Sequence, residues 1–170
     1  MSYFLMSERL GFRPWHADDL PLARALWGDA QVTRYIGGPF DEQWITERLA
    51  TEMDSANRLG VQYWPIFRLD SGAHVGCCGL ATWPYSMVEG ALQLGVHLRP
   101  AFWRMGLAAE ASEAAISLAF DTLRVPVLMA GHHPENLASG RLLKRLGFSF
   151  VEDVFYPPTG LMHPSWRRDR

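Results

Sequence analysis

Between Leu92 and Phe148 the hydrophobic period of the chain switches repeatedly, and that switching constrains the fold more than any other feature. From Ala91 to Arg99 the residues alternate. Leu92, Leu94, Val96 and Leu98 point one way and Gln93, Gly95, His97 and Arg99 the other, the period of a strand with one polar face. Pro100 stops it, and from Gly106 to about Leu123 an alanine-rich run predicts a long helix, since alanine loses no side-chain entropy there. Val127 to Ala130 reads as a short strand. Asn136 to Leu146 reads as a second helix, ended by Gly147, and Phe148 to Val154 as a further strand. The order strand, helix, strand, helix, strand predicts an α/β (α+β) chain.

Upstream, Leu10 to Pro14 reads as a first strand, and Asp18 to Trp27 as a helix capped by Asp18 or Asp19. Asp41 to about Ala56 reads as another helix, with Asp41 as its cap. Trp64 to Leu69 and His74 to Ala81, joined through Asp70-Ser71-Gly72, predict an antiparallel hairpin. No repeat, low-complexity tract or linker divides the chain, so one domain over residues 1–170 is expected, long enough to bury roughly 70% of its unfolded surface.

Composition narrows the partners. With 48% hydrophobic residues, 20% charged and a net charge of −2, no global basic field exists to hold nucleic acid or an anionic membrane, so any polyanion must be bound locally. No apolar run reaches the ~20 residues of a membrane span, and the start of the chain lacks the pattern of a signal peptide; a cytoplasmic protein is expected. The adjacent Cys77 and Cys78 suit strand packing rather than a disulfide framework. The histidines lack metal-site spacing, and no metal is expected.

Chemistry concentrates at Trp103-Arg104-Met105-Gly106-Leu107-Ala108, between a strand end and a helix start, where unpaired N–H groups and the positive end of the helix dipole converge. Gly106 and Ala108 leave room for a pyrophosphate to approach the backbone. Small residues at a helix start also serve plain packing, so the context must decide. That context resembles the GNAT N-acetyltransferases, whose acetyl-CoA motif reads Arg/Gln-x-x-Gly-x-Gly/Ala after a strand ending in a residue-x-Pro pattern. Leu98 to Ala108 fits that frame with Trp103 at the Arg/Gln position. A second motif of the family, Asn-x-x-Ser/Ala followed by Gly-Phe, is matched by Asn136-Leu137-Ala138-Ser139 and Gly147-Phe148. Ser7-Glu8-Arg9-Leu10-Gly11-Phe12-Arg13-Pro14 and Arg34-Tyr35-Ile36-Gly37-Gly38 are similar to the RimJ/RimL-type ribosomal-protein branch.

The resemblance implies the GNAT fold, a mixed and mostly antiparallel sheet splayed between the strands at 91–99 and 127–131, and acetyl-CoA as co-substrate. It implies that backbone N–H groups of Arg104, Met105, Gly106, Leu107 and Ala108 hold the pyrophosphate beside Trp103. Val96 to Leu98 would pair with the pantetheine arm, Asn136 would bond that arm, and Ser139 would lie near the thioester sulfur. Arg141, with Lys144 and Arg145, either meets the adenosine 3′-phosphate or forms a solvated helix face. Leu143 stands where many members place a tyrosine acid, and Gln93 where a strand glutamate often serves as base. The acid role is then absent or passes to Ser139, and His97, on the polar face with Gln93, is the candidate base or a structural residue. His132 and His133 either shape a loop or contact substrate or cofactor, Trp83, Tyr85, Tyr35 and Tyr156 either line an acceptor pocket or pack, and Glu110 and Glu113 favour the helix dipole and its packing.

The expected reaction is acetyl transfer to a primary amine by direct attack in a ternary complex. A weak base favours an α-amine, whose pKa near ~8 lies below the ~10.4 of lysine. A peptide or protein N-terminus is therefore the expected acceptor. The rivals are a small amine such as an antibiotic or polyamine, and, in another class, a sensor that binds acetyl-CoA without turnover. Homodimerisation is left open. The Phe155 to His163 segment is expected to shape the acceptor site.

Overall fold

In the computed structural model, which describes residues 2–82 and 88–170, the chain opens with a short antiparallel hairpin of β1 (Leu5–Met6) and β2 (Leu10–Phe12). β2 stops before Pro14, which has no N–H to donate to a ladder. A 3₁₀ turn at Ala17–Asp19 leads into α1 (Leu20–Trp27). The expected aspartate cap does not form: the Asp19 side chain makes no capping bond to α1. The Asp19 carboxylate instead accepts hydrogen bonds from Arg13 at 2.6 and 2.8 Å and from the His16 N–H at 2.8 Å.

The short α2 (Ala30–Thr33) was not expected; Asp29 caps it by accepting from the Gln31 and Val32 N–H groups. Asp41 does cap α3 (Glu42–Leu59), through the Trp44 N–H at 2.8 Å. That helix ends at Gly60, whose φ of 73° only glycine adopts without penalty.

β3 (Tyr63–Arg68) and β4 (His74–Thr82) form the expected hairpin, and β5 (Leu92–Leu98) continues the sheet antiparallel to β4. α4 (Leu107–Ser117) passes into wider π-type turns at Leu118–Thr122 before β6 (Val127–Gly131), which runs parallel to β5. α5 (Leu137–Arg145) is capped by Asn136 and released at Gly147, where φ is 81°. The Phe155 to His163 segment is mostly regular. β7 (Ser149–Tyr156) runs into it and β8 (Leu161–Asp169) leaves it, an eighth strand that inserts between β6 and β7. The sheet order is β1-β2-β3-β4-β5-β6-β8-β7, antiparallel except at β5–β6.

Both faces of the sheet are covered. Leu10, Phe12, Ile66, Leu80, Leu94 and Leu98 pack against Leu107, Ala111 and Ala115 of α4 and Leu143 of α5. On the other face Tyr63 and Cys77 pack against Ala23, Leu26 and Trp27 of α1 and Ile45 and Leu49 of α3. Cys77 and Cys78, adjacent in β4, fall into opposite clusters, as the period of a strand requires. Burial pushes the Cys78 thiol up to about 12 and raises Cys77 as well, so both remain unreactive thiols.

Candidate active site

The two parallel strands stay in register only at Leu92↔Leu128 and Gln93↔Met129. Beyond Gln93 they diverge. β5 keeps its ladder to β4 as far as Leu98 and β6 keeps its ladder to β8 as far as Gly131, so each is held on its far side while the facing edges separate. Leu94 to Leu98 therefore present one edge of main-chain donors and acceptors with no strand across from it among the described residues. A cleft of 1330 Å³ occupies the gap and runs from the start of α4 to the helices at the amino-terminal end of the chain. That exceeds an ordinary single-ligand pocket of ~300–1,000 Å³ and suits two reactants.

At one end of the cleft the chain turns into α4 through Arg104, with φ of 59°, and Gly106, with φ of 77°. The N-cap of α4 is Gly106, which has no side chain to cap the helix, so the first N–H groups lie open at the positive end of the helix dipole. A Cβ at Gly106 would meet only Arg9 Nη2, at 3.5 Å. A diphosphate fits such a cradle. Trp103 does not add a donor, because its indole Nε1–H is spent on the Leu98 carbonyl at 2.7 Å. Arg104, Gly106, Leu107 and Ala108 line the cleft with Trp103, Val96 and Leu98. Met105 does not. Its carbonyl accepts from Arg9 Nη1 at 3.0 Å on the outer side of the turn.

α5 forms a further wall. Asn136 uses its side-chain oxygen to cap the Ser139 N–H at 3.2 Å, leaving the amide nitrogen as its donor, and Asn136, Ser139, Arg141 and Arg145 all line the cleft. Lys144 lies instead over the Trp166 ring, 5.9 Å from its centre. Leu143 is a buried core residue at the cleft floor. Gln93 lines the cleft at the last register pair before the strands part.

His97 is not on an open polar face, because α1 and α3 cover that side of β5. Trp27 Nε1–H donates to His97 Nδ1 at 3.3 Å, and since the indole can only donate, the neutral ring carries its own proton on Nε2. Burial, helped by the nearby Arg48 cation, pushes its pKa down to about 4. His97 thus offers the cleft a donor rather than a lone pair. His133 is held the same way, its Nδ1 accepting the Glu135 N–H at 3.1 Å. His132 is reversed, with Nδ1–H on the His133 carbonyl at 2.8 Å, and its Nε2 is buried. His163 lies against Tyr156 and His133, and burial followed by His133 and His132 lowers its pKa.

Other cleft residues went unread in the sequence. Arg48 and Glu52 pair at 2.6 Å across one turn of α3, and the guanidinium sits 5.2–5.9 Å from the rings of Trp27, Trp44 and Tyr63. The i,i+4 spacing was legible, but an exposed helix pair has the same spacing. Tyr35 and Tyr156 line the cleft, whereas Trp83 and Tyr85 lie outside the described residues. Glu110 does not serve the helix dipole alone; its oxygens accept from Ser7 and Arg9.

Residues 9–149 match the sequence profile of the family described as Acetyltransferase (GNAT) domain. An uncharacterized N-acetyltransferase, p20, of Bacillus licheniformis is 26% identical over 149 residues, covering 85% of this chain and 81% of that protein. The crystal structure of an acetyltransferase from Agrobacterium tumefaciens superposes with a TM-score of 0.81 at 24% identity, covering 100% of this chain and 98% of that one. A RimL ribosomal L7/L12 α-N-protein acetyltransferase solved in complex with coenzyme A superposes with a TM-score of 0.78 at 15% identity, covering 96% and 95%.

Proposed function

This chain belongs to the GNAT acetyltransferase family and is an acyltransferase, and from that premise we propose that it moves acetyl from acetyl-CoA to an α-amine at a peptide or protein N-terminus. The observation that carries the reading is the continuity of the cleft, which joins an uncapped helix start fit for a diphosphate to a parted strand edge. The co-substrate supplies an acetyl group activated as a thioester.

The chain's own residues then have distinct tasks. The N–H groups of residues 104–108 hold the diphosphate, with Met105 contributing only its main chain. The free edge at Val96 to Leu98 pairs with the amide-bearing pantetheine arm, and Asn136 adds its amide nitrogen. Arg141 faces the adenosine end, and Ser139 donates a proton toward the departing sulfur. The neutral amine displaces the thiol at the acetyl carbon, forming a C–N bond as the C–S bond breaks; its surplus proton leaves to solvent, from which Ser139 regains the proton it gives the sulfur. Main-chain donors and the Nε2–H of His97 supply positive poles where negative charge grows.

The acceptor class follows from proton supply. His97 and His133 turn N–H groups rather than lone pairs to the cleft, and the lone pair of His132 lies on a buried nitrogen, so none of the three is poised to take the proton of the amine. Positioning supplies roughly 7–11 kcal/mol of the barrier, whereas a missing base costs ~10²–10⁴-fold, so transfer survives. An amine that is already neutral gains most, and the gap between ~8 and ~10.4 in pKa favours an α-amine over lysine by about 3 kcal/mol. The test is release of the coenzyme thiol by purified protein with acetyl-CoA and a panel of free-N-terminus peptides, N-blocked lysine peptides and small amines. Release with the α-amine peptides is expected. A strong lysine or polyamine preference overturns the acceptor, and coenzyme binding without release on any amine overturns turnover in favour of a sensor.

A further inference from the structure

Arg9 lies 96 residues from Met105 in sequence, yet its guanidinium reaches the outer side of the turn that leads into α4. Nη1 donates to the Met105 carbonyl at 3.0 Å, and Nη2 sits 3.5 Å from where a Cβ at Gly106 would stand. The group is held from behind by Glu110, one turn into α4. One Glu110 oxygen accepts the Arg9 main-chain N–H at 2.7 Å and the Ser7 hydroxyl at 2.6 Å, and the other accepts Arg9 Nε at 2.7 Å. Every bond in the clasp involves a charged partner or a main-chain group, so its geometry is set from both ends.

The turn needs such a hold. Arg104 keeps a left-handed φ of 59°, a conformation that costs a residue with a Cβ ~1–2 kcal/mol and persists only where its surroundings impose it. The Met105 carbonyl shares one peptide plane with the N–H of the left-handed Gly106, so fixing the carbonyl fixes that plane and aims the Gly106 N–H the opposite way, as a trans peptide requires. The Gly106 N–H is one of the N–H groups that would face a diphosphate.

We infer that Arg9 is a positioning residue for the coenzyme site: clamped by Glu110, it sets the Arg104–Gly106 turn through the Met105 carbonyl and so preorganises the diphosphate cradle. This rests on the acetyl-CoA reading of the cleft. It also gives a task to the Ser7-Glu8-Arg9 segment, which the sequence presents only as a family-like signature. Preorganisation of this kind acts on binding and leaves the chemical step alone.

The test is calorimetric titration of coenzyme A and of 3′-dephospho-coenzyme A into the wild-type protein and into Arg9→Ala, Arg9→Lys and Glu110→Gln, with kcat at saturating acetyl-CoA. Arg9→Ala should weaken both ligands by the same factor, about tenfold, as expected for a lost charge-assisted bond. Arg9→Lys should recover part of that loss, Glu110→Gln should shift both affinities in the same direction, and kcat should stay within about twofold. Unchanged affinity in Arg9→Ala overturns the inference, as does a loss confined to coenzyme A, which would make Arg9 a contact of the 3′-phosphate. Should Arg9→Ala not fold, Glu110→Gln decides alone, since it leaves Arg9 in place and removes the charge and one of the two acceptor oxygens that anchor it. Failure of the wild-type protein to bind coenzyme A would refute the acetyl-CoA reading itself, before any variant is compared.

Discussion

At the scale of single residues, the environments of Asp19 and His97 decide what each can do. Burial pushes the Asp19 carboxyl up, but the hydrogen bonds from Arg13 and the His16 N–H outweigh it and hold the group below its ordinary range. Both side chains of the Arg13–Asp19 pair are about nine-tenths buried, and Arg13 also stacks over Phe67 at 4.6 Å. Removing one partner strands the other, so Asp19→Ala should lower stability by about 3–5 kcal/mol in urea unfolding. A loss under 1 kcal/mol would mean that water replaces the carboxylate at no great cost. For His97 the expected result is a null with a specific form. A group already neutral above pH 5 contributes no titration near 6.5, so His97→Gln should leave the shape of the kcat/KM profile between pH 6 and 9 unaltered even if its height falls. Disappearance of an ionisation near pH 6–7 in that variant would restore His97 as the base.

The element scale separates what the sequence discloses from what it conceals. The alternation of Leu92 to Leu98, the alanine run of α4, the Asp41 cap and the Gly147 end of α5 are local, and the structure has them close to where the sequence puts them, whereas α3 runs past the expected Ala56 to end at Gly60. Asp19 misled because a buried arginine six residues upstream outcompeted the cap, and β8 was concealed because its pairing with β6 is non-local. The cleft residues of motif position were legible. Arg9 and Glu110, and the covering of His97 by α1, were not, since only tertiary packing brings them together. The start of α4 gives a prediction of its own. Alanine at Gly106 would be forced to φ of 77° with only ordinary contact to Arg9, so the penalty is conformational, ~1–2 kcal/mol. Gly60 is the control, with φ of 73°, open space around it, and a place at the end of α3 rather than at the coenzyme turn. Both alanine variants should lose similar stability in thermal melts, while only Gly106→Ala weakens coenzyme A binding. Equal coenzyme affinity in the two would argue against the turn as the diphosphate site.

For the molecule as a whole, acid sensitivity follows chiefly from His74 and His97, two imidazoles folded away in neutral form, with the partly buried His163 adding to it. Burial first, then the Arg99 cation with a smaller push from Arg13, brings His74 down from 6.5 to about 4 despite the opposing pull of Asp19; His97 falls as far beside Arg48. Between pH 6.5 and 4 the unfolded chain takes up protons that the folded chain refuses, so stability is complete above 6.5 and declines as pH falls through that window. His74 is 5% exposed, and its share is on the order of 3 kcal/mol. The depressed carboxyls of Asp19 and Glu110 act lower: their stabilisation is present above the unfolded values of 3.8 and 4.5 and is lost only as pH drops through the folded ones. The two contributions are therefore separable. Urea midpoints taken at intervals from pH 8 to 4 should stay level to about 6.5 and then decline. His74→Leu, whose apolar side chain suits the contacts with Trp15 and Phe67, should reduce that decline by about half and leave the midpoint at pH 7 unchanged or higher. A curve that is flat down to pH 4.5, or a His74→Leu curve parallel to the wild type, would show that these imidazoles reach solvent and protonate without unfolding the chain.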